Sequence, residues 1–450
     1  MTLWTQDEAE AATLGKASAP FQAGPLSLDT RTLKPGDMFV ALKGEARDGH
    51  DFVQAAFAAG AGAALVSRDV PGAGGPLLQV GHTQRGLEDL GRASRARTHA
   101  KVIAVTGSAG KTTTKEMLRL AFDALGRTYA SSASHNNHWG VPLSLASLPR
   151  DAEYGVFEVG MNHFGEIRAL VDMVRPHLAL ITTIAPAHLE FFGNLESIAD
   201  AKSEIFEGLE AGGPALIPAD NPHAGRLVAR AQRAGVAQLA RFGSAAGVEA
   251  RLISHAAEGE GMRLKADIFG TLVDCRIGAP GAHIAANAVA TLAAVHLAGG
   301  DVLNAAASLK NFVALKGRGA RLEIKGLTII DESYNANPAS MAAALSLLGA
   351  SSTRRIAVLG DMLEMGEDGL AHHAGLAAPI EANKVDLVFA AGRQMRALWD
   401  ALPASRRGAY AETAAALAPL VTAAVQAGDT ILIKGSNGSR MSLILDALKV

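Results

Sequence analysis

Short apolar runs alternate with segments of helical apolar spacing along most of the chain. In its middle part, Tyr154–Gly160, Leu178–Ile184 and Pro214–Asp220 are near-continuous apolar runs of strand length. Such runs, when helices separate them, are typical of a parallel sheet that is buried on both faces. The last third repeats the alternation in the runs "LTIIDES", "RIAVLGDM", "VDLVFAAG" and "DTILIKGS". The pattern predicts an α/β protein with a central parallel sheet and a second, doubly wound, Rossmann-like sheet after it.

The N-terminal part and one later segment add to this pattern. Near the N-terminus, the predicted strands Asp37–Gly44 and Ala63–Ser67 flank a predicted helix, Asp51–Ala61, which indicates a small α/β unit. Between Arg241 and Val273 polar and apolar residues alternate, which favours a small antiparallel addition. We therefore predict three domains, which comprise residues 1–82, 83–314 and 315–450.

Composition excludes several functional classes. The 450 residues are too many for one compact core. The formal net charge of -2, without a long basic run, argues against a nucleic-acid partner. The single cysteine, Cys275, allows neither an internal disulfide nor a cysteine-based metal site, so we expect a cytoplasmic protein. No signal peptide and no apolar run of about 18 residues is visible, so we expect no membrane association, and we expect a monomer.

One motif, "VIAVTGSAGKTTTKEML", combines a strand, a glycine loop, a lysine and a helix start. It resembles a P-loop, but Val105 stands where the common P-loop has its first glycine. Lys111 supplies a charge for the β- and γ-phosphates of ATP, and the Thr112 hydroxyl suits Mg²⁺. The alternative is a glycine-rich turn with a solvated lysine. The residues predicted to bind the nucleotide here are Gly107, Ser108, Ala109, Gly110, Lys111, Thr112 and Thr113.

Polar residues follow other predicted strands at what should be the same sheet edge. Glu158 ends a strand and could hold Mg²⁺ directly or through water, or it could cap a helix. His188 follows the next strand, where a histidine on its own is more often structural than catalytic. Lys202 lies in a predicted amphipathic helix, Ser197–Leu209, and its local sequence predicts an ordinary exposed lysine. The motif "DNPH", which begins at Asp220, is interpreted as turn chemistry.

The segment "DESYNANPASM" in the last third also follows a strand. Asp331, at the strand end, suits a ribose hydroxyl or an orienting contact. Asn335 and Asn337 are rich in hydrogen-bond donors and acceptors, and Pro338 can open the next helix. The alternative is a plain turn with an asparagine cap.

These pieces together resemble the Mur ligase family over nearly the whole chain. The motifs that resemble its central domain are "TGSAGKTT", "FEVGMNHFGEI", "AHLEFFGNLESIADAKSEIFEGL" and "GAHIAANAVATLAA". The motifs "DESYNANP" and "LGDMLEMG" are similar to those of the branch that adds D-alanyl-D-alanine. The N-terminal "DTRTLKPGDMFVALKGEARDGHDFVQAAFAAGA" resembles the UDP-binding domain of the family.

The resemblance implies roles for individual residues. Lys202 would be carbamoylated by CO₂ and would hold a second Mg²⁺ together with His188. Arg318 would meet the phosphates, so the implied catalytic set is Lys111, His188, Lys202 and Arg318. The implied metal ligands are Thr112, Glu158, His188 and Lys202. Further nucleotide contacts would come from Asn287, Arg318, Asp331 and Asn335. Substrate contacts would come from Asp29, Thr30, Arg31, Asn136, Asn137 and Asn337.

The resemblance also implies a reaction, an ATP-dependent, ADP-forming ligation in cytoplasmic peptidoglycan precursor synthesis. D-Alanyl-D-alanine would be joined to a UDP-N-acetylmuramoyl-tripeptide through an acyl phosphate, and the C-terminal domain would close over the site. Within this class the alternatives are a tripeptide-forming member and an enzyme like folylpolyglutamate synthase. From another class, the alternative is a regulatory or motor ATPase. Such proteins usually carry the full-length P-loop.

Overall fold

The computed structural model describes residues 1–131 and 135–449. In this part of the chain a five-stranded, a nine-stranded and a six-stranded sheet follow one another, with a small two-stranded sheet at the N-terminus. The α/β class and the three-domain architecture that the sequence predicts are therefore confirmed. The exact boundaries of the three domains stay predictions.

The N-terminal sheet is mostly parallel, with one antiparallel edge strand. Its strands, in spatial order, are Lys16–Ala17, Leu77–Gln79, Ala63–Val66, Met38–Val40 and Leu26–Ser27, and Trp4–Thr5 pairs with Gln22–Ala23 beside it. The helices of this part are Gln6–Thr13, the 3₁₀-helix Gly49–Phe52, Val53–Ala58 and Thr83–Arg97. The predicted strands and helix are present, although each is shorter than its apolar run.

In the central sheet, parallel pairing joins the strands from one lateral edge as far as Ala250–Glu258. Its strands, in spatial order, are Thr128–Ala130, Tyr154–Glu158, Lys101–Thr106, Leu178–Ile181, Pro214–Pro218, Gln238–Gly243, Ala250–Glu258, Gly261–Ile268 and Thr271–Ile277. The last three form antiparallel pairs with one another, as the alternating pattern predicts. They continue the same sheet, because Ala250–Glu258 pairs in parallel with Gln238–Gly243.

Helices cover both faces of the central sheet. They are Lys111–Asp123, Gly140–Ala146, Glu166–Val174, Leu189–Phe192, Leu195–Ser203, Ala224–Arg233, Ala282–Leu297 and Val302–Ser308, with 3₁₀-helices at Glu204–Gly208 and Leu309–Asn311. The helix Lys111–Asp123 turns Met117, Leu118, Ala121 and Phe122 inward. This spacing of i, i+1, i+4 and i+5 places its apolar side chains on one face against the sheet.

The C-terminal sheet has parallel strands and one antiparallel edge strand. Its strands, in spatial order, are Ala320–Ile324, Leu327–Glu332, Thr430–Lys434, Arg355–Gly360, Leu387–Ala391 and Arg407–Ala411. Its helices are Pro338–Gly349, Gly369–Ala374, Ala377–Ala382, Met395–Ala401, Ala414–Ala424 and Ser442–Lys449, with 3₁₀-helices at Ala404–Arg406 and Asn437–Ser439. Its inner strands are buried on both faces, which explains their continuous apolar runs.

Strand direction brings the functional loops together. In the central sheet Thr106, Glu158 and Ile181 end neighbouring parallel strands at one edge. In the C-terminal sheet Glu332 and Lys434 end neighbouring parallel strands in the same way. Among the described residues, no helix has the length and apolar character needed to cross a membrane.

Trp4 joins the N-terminal sheet to the central part. The ring is 1% exposed, its Nε1 donates to the carbonyl oxygen of Ala146 at 2.9 Å, and the Arg97 guanidinium lies 3.9 Å from the ring centre. We expect Trp4→Ala to destabilise the protein by about 3–5 kcal/mol, because it leaves a cavity and an unpaired carbonyl. Thermal melting should show a clear drop for Trp4→Ala, a smaller one for Trp4→Phe, and almost none for the exposed-site control Leu303→Ala. Equal melting temperatures for all three variants would contradict this assignment.

Candidate active site

A cavity of about 570 Å³ lies where the edge loops of the central and C-terminal sheets face each other. Its wall includes both apolar and polar groups, as is usual for a ligand site. The residues predicted from the sequence that line it are Ser108, Ala109, Gly110, Lys111, Thr113, Asn136, Glu158, His188, Asn287, Arg318, Asn335 and Asn337.

The glycine loop is held against the neighbouring strand. Gly107 has a φ of +150°, and a Cβ atom there would lie 1.9 Å from the Thr182 Oγ1. Thr182 Oγ1 in turn donates to the carbonyl oxygen of Ala109 at 2.6 Å. Gly110, with a φ of +80°, precedes the helix Lys111–Asp123. Both glycines are therefore required by backbone conformation and close approach, as the P-loop prediction implies.

The loop contributes one positive charge and one unpaired hydroxyl at the cavity. Lys111 Nζ donates to the carbonyl oxygen of Gly107 at 2.8 Å, at the start of a helix. Burial lowers the pKa of Lys111, Glu158 opposes this shift, and Arg318 adds to it. The buried Ser108 Oγ has no hydrogen-bond partner among the described residues. A polyphosphate would supply both the missing acceptor and the missing negative charge.

Glu158 connects the loop to the next strand. The Thr112 hydroxyl donates to Glu158 Oε2 at 2.8 Å, and Asn136 Nδ2 donates to Oε1 at 2.7 Å. A hydroxyl and a carboxylate are oxygen donors of the kind that Mg²⁺ prefers, so the pair fits a magnesium site. Within residues 1–131 and 135–449 no three His, Cys, Asp or Glu side chains cluster as a ready metal site. A cation here would therefore depend on phosphate and water oxygens as well.

Lys202 is buried, so its interpretation as an exposed lysine is wrong. It is 1% exposed, in the helix Leu195–Ser203. This helix also buries Ile198, Ala199 and Ala201, so it is enclosed on more than one face. Burial lowers the pKa of Lys202 well below its ordinary value, and the nearby charge of Lys111 lowers it further. The folded protein thus favours a neutral amine at this position.

His188 follows the strand Leu178–Ile181 and lines the cavity. Its backbone is left-handed, with a φ of +60°. Its Nδ1 lies 2.5 Å from Oε2 of Glu364, a residue of the C-terminal sheet's edge loops. This contact lowers the pKa of the Glu364 carboxyl below its ordinary value.

Arg318 reaches the cavity from the chain segment that enters the C-terminal sheet. Its guanidinium carbon lies 3.9 Å from the centre of the Tyr334 ring. Asp331 accepts from the Gly317 amide at 2.9 Å and from the Ser333 hydroxyl at 2.6 Å. Asp331 is fully buried and does not line the cavity. In this structure it shapes the turn that carries Arg318, and its contact with a ribose stays a prediction.

The asparagines divide between the two sides of the cavity. Asn337 caps the helix Pro338–Gly349, and its Nδ2 donates to the carbonyl oxygen of Ser108 at 3.4 Å. This contact joins the C-terminal sheet directly to the glycine loop. Asn287, from the long central helix, lies close to Gly110, since a Cβ atom there would be 3.0 Å from its Oδ1.

Several lining residues were missed by sequence reasoning: Asp220, Asn221, Pro222, His283, Tyr334 and Lys434. The interpretation of "DNPH" as turn chemistry alone is incomplete. Asn221 Nδ2 donates to the carbonyl oxygen of Ile184 at 2.8 Å, so it supports the loop that leads to His188. The available signal was position, because Asp220 follows the strand Pro214–Pro218 at the edge where the other loops meet.

Other predicted residues lie outside the cavity wall: Asp29, Thr30, Arg31, Gly107, Thr112, Asn137, Lys202 and Asp331. Asp29 and Arg31 form an exposed ion pair with a 2.6 Å contact, which lowers the pKa of Asp29 to about 2. Asn137 accepts from the Gly140 amide at 2.9 Å and so holds a helix start. The predicted substrate contacts of Asp29, Thr30, Arg31 and Asn137 stay predictions.

A shortened P-loop that faces an arginine from a second domain is typical of nucleotide-dependent enzymes that bind phosphates between domains. Models of the Mur ligase middle domain, the Mur ligase family catalytic domain and the Mur ligase glutamate ligase domain match residues 105–295, 25–117 and 317–437. The chain belongs to the Mur ligase family. It is an ATP-dependent, ADP-forming ligase.

Individual relatives match this chain over nearly the full length of both proteins. The UDP-N-acetylmuramoyl-tripeptide--D-alanyl-D-alanine ligase of Escherichia coli is 36% identical, over 94% of this chain and 93% of that one. A crystal structure of MurF from Acinetobacter baumannii is 30% identical, with a TM-score of 0.87 over 99% of this chain and 98% of that one. MurF ligase from Thermotoga maritima in complex with ADP is 25% identical, with a TM-score of 0.79 over 95% and 97%.

The geometry of Gly107 predicts the effect of a single methyl group. Gly107→Ala should weaken binding of a non-hydrolysable ATP analogue about tenfold or more, because the new Cβ displaces the loop and strains its backbone. Calorimetry measures the affinity. Gly225→Ala is the matched control, since nothing lies within 4 Å of a Cβ atom there. Equal affinities for the two variants would show that the loop does not bind the nucleotide.

Proposed function

We propose that this ligase joins D-alanyl-D-alanine to a UDP-N-acetylmuramoyl-tripeptide in peptidoglycan precursor synthesis. The observation that carries the proposal is the convergence of Lys111, Glu158 and Arg318 on one cavity between two domains. The Thr112 hydroxyl lies behind the cavity wall and donates to Glu158. The near-full-length relatives named for this reaction support the choice of substrates. By this route the activity would serve cell-wall growth, and hence cell shape and division.

The chemistry explains why ATP is needed. A carboxylate is a poor acceptor for an amine, because its leaving group is poor. A carboxylate oxygen of the tripeptide therefore attacks the γ-phosphorus of ATP, the bond to the β,γ-bridging oxygen breaks, and ADP leaves. The amine of D-alanyl-D-alanine then attacks the acyl phosphate, an amide forms, and phosphate and a proton depart.

The protein contributes mainly position and charge. Lys111 and Arg318 approach the phosphates from different domains and spread the charge that develops during transfer. The stacking of Arg318 on Tyr334 fixes its direction. Asn287 and Asn335 would contact the nucleotide, and Asp331 would reach its ribose or continue to orient the Arg318 turn.

We propose that the site holds two magnesium ions. Thr112 and Glu158 would hold one, and His188 with a carbamate on Lys202 would hold the other. Bound magnesium would neutralise the phosphate oxygens during transfer. Lys202 suits a carbamate, because its amine is favoured in the neutral form that attacks CO₂. The nitrogen bonds to carbon, and one proton leaves.

The three domains divide the substrates among them. We propose that residues 1–82 bind the UDP-sugar, that residues 83–314 bind ATP, and that residues 315–450 bind D-alanyl-D-alanine. The residues for the two acceptor substrates would be Asp29, Thr30, Arg31, Asn136, Asn137 and Asn337. We further propose that the protein is cytoplasmic, since both ATP and UDP-linked precursors are cytoplasmic compounds. We also propose that it is a monomer.

Water would hydrolyse the acyl phosphate, so the site must be closed during transfer. The contact of Asn337 with the carbonyl oxygen of Ser108 already seats the C-terminal sheet on the glycine loop. We propose that the C-terminal domain closes further over the substrates once they bind.

Phosphate release across a matrix of substrates tests the proposed reaction. Phosphate should appear rapidly only when ATP, a UDP-N-acetylmuramoyl-tripeptide and D-alanyl-D-alanine are all present. Two further combinations test the alternative ligases. Single amino acids with a UDP-muramoyl dipeptide test a tripeptide-forming enzyme, and single amino acids with a folate acceptor test an enzyme like folylpolyglutamate synthase. Rapid phosphate release with ATP alone would instead favour a regulatory or motor ATPase.

If Lys202 carries a carbamate, an added carboxylate should rescue a variant that lacks this lysine. Lys202→Ala should abolish most ligase turnover, and added short carboxylates such as formate or acetate should restore part of it by taking the place of the carbamate. Lys265→Ala, at an exposed lysine, is the matched control. Turnover equal to that of the wild-type enzyme in Lys202→Ala, without rescue, would remove Lys202 from the mechanism.

A further inference from the structure

A loop of the C-terminal domain, Asp361–Gly366, contacts the central segment that carries His188. Two hydrogen-bond contacts join them. His188 Nδ1 lies 2.5 Å from Glu364 Oε2, and the Glu190 amide donates to the Glu364 carbonyl oxygen at 3.1 Å. Glu364 thus engages this segment with both its side chain and its backbone.

Packing reinforces this pair of contacts. Leu189 is partly buried and packs against the cores of both the central and the C-terminal domain. Gly366 lies directly over the segment, since a Cβ atom there would be 3.5 Å from the Glu190 Cα. The two loops therefore form a continuous contact between the domains, at the wall of the cavity.

The backbone at both ends of the contact is unusual. His188 has a φ of +60° and Glu364 a φ of +62°. Left-handed conformations are uncommon for residues other than glycine, and they persist where the surroundings require them. Here the two residues with this conformation are the ones whose side chains meet, so the backbone on each side directs a side chain into the contact.

We propose that Glu364 is a positioning residue that orients the His188 imidazole, and that it does so only while the C-terminal domain is docked. This inference rests on the proposed ligase reaction, which uses His188 in the cavity. In the tautomer that donates from Nδ1 to the carboxylate, the ring is held in one orientation and Nε2 has a lone pair to offer to the cavity. Docking of the C-terminal domain and orientation of His188 would then be a single event.

The competing explanation is an ordinary surface ion pair, which would contribute little. The side chains of His188 and Glu364 are 23% and 41% exposed, so substitution should leave folding intact. Glu364→Ala removes the acceptor, whereas Glu364→Gln keeps an oxygen that can accept the same hydrogen bond. Glu367→Ala is the matched control, an exposed glutamate in the same loop region.

Kinetics test whether Glu364 acts through His188. Glu364→Ala should lower kcat about 10- to 100-fold, with smaller changes in the KM values for ATP and the UDP-linked substrate, and Glu364→Gln should recover much of the loss. The double variant with His188→Ala should be no slower than His188→Ala alone, because the residues act as one unit. Additive losses, or a kcat for Glu364→Ala equal to that of Glu367→Ala, would overturn the proposal.

Small-angle scattering gives a readout that does not depend on activity. The ligand-free Glu364→Ala protein should have a larger radius of gyration than wild type and Glu367→Ala, because an interdomain contact is lost. An unchanged radius would refute the link to docking. If the wild-type enzyme proved inactive with D-alanyl-D-alanine, the proposed reaction would fail, while the scattering result would still decide the role of Glu364 in docking.

Discussion

The repulsion between two lysines that are both removed from bulk water is the constraint on which the site depends: Lys202 is fully buried, and Lys111 is partly buried in the cavity wall. Desolvation lowers the pKa of both Lys111 and Lys202, and the charge of Lys111 lowers the pKa of Lys202 further. Arg318 adds positive charge from the other domain. Glu158 offsets part of this charge, and a polyphosphate would offset the rest. A carbamate on Lys202 would turn the repulsion between the lysines into an attraction.

The site lies between domains because loops from two sheets meet there. Each domain presents groups at the carboxyl ends of its parallel strands, so loops from two sheets can surround one ligand. The C-terminal domain contributes Arg318, the Asn337 contact with the glycine loop and the Glu364 contact with His188. An acyl phosphate formed among these loops would be kept from water by the contacts that align the reactants.

The sequence alone predicted the structural features that depend on neighbouring residues in the chain. The apolar runs located the strands, and the glycines located the phosphate loop, since both follow from short-range rules. Lys202 was misjudged, because its burial results from packing between distant segments. The role of Asn221 was missed for the same reason, since its partners lie near Ile184. Asp331 was correctly placed at a strand end, but its hydrogen bonds to the Arg318 turn depend on tertiary structure.

Isotope transfer tests the acyl phosphate most directly. The tripeptide substrate would carry ¹⁸O in both oxygens of its reacting carboxylate, and the phosphate released with ATP and D-alanyl-D-alanine would be analysed by mass spectrometry. The account predicts one ¹⁸O atom in each phosphate formed, because the carboxylate oxygen that attacks phosphorus leaves with it. Phosphate without ¹⁸O, in a reaction that still forms the amide, would contradict it.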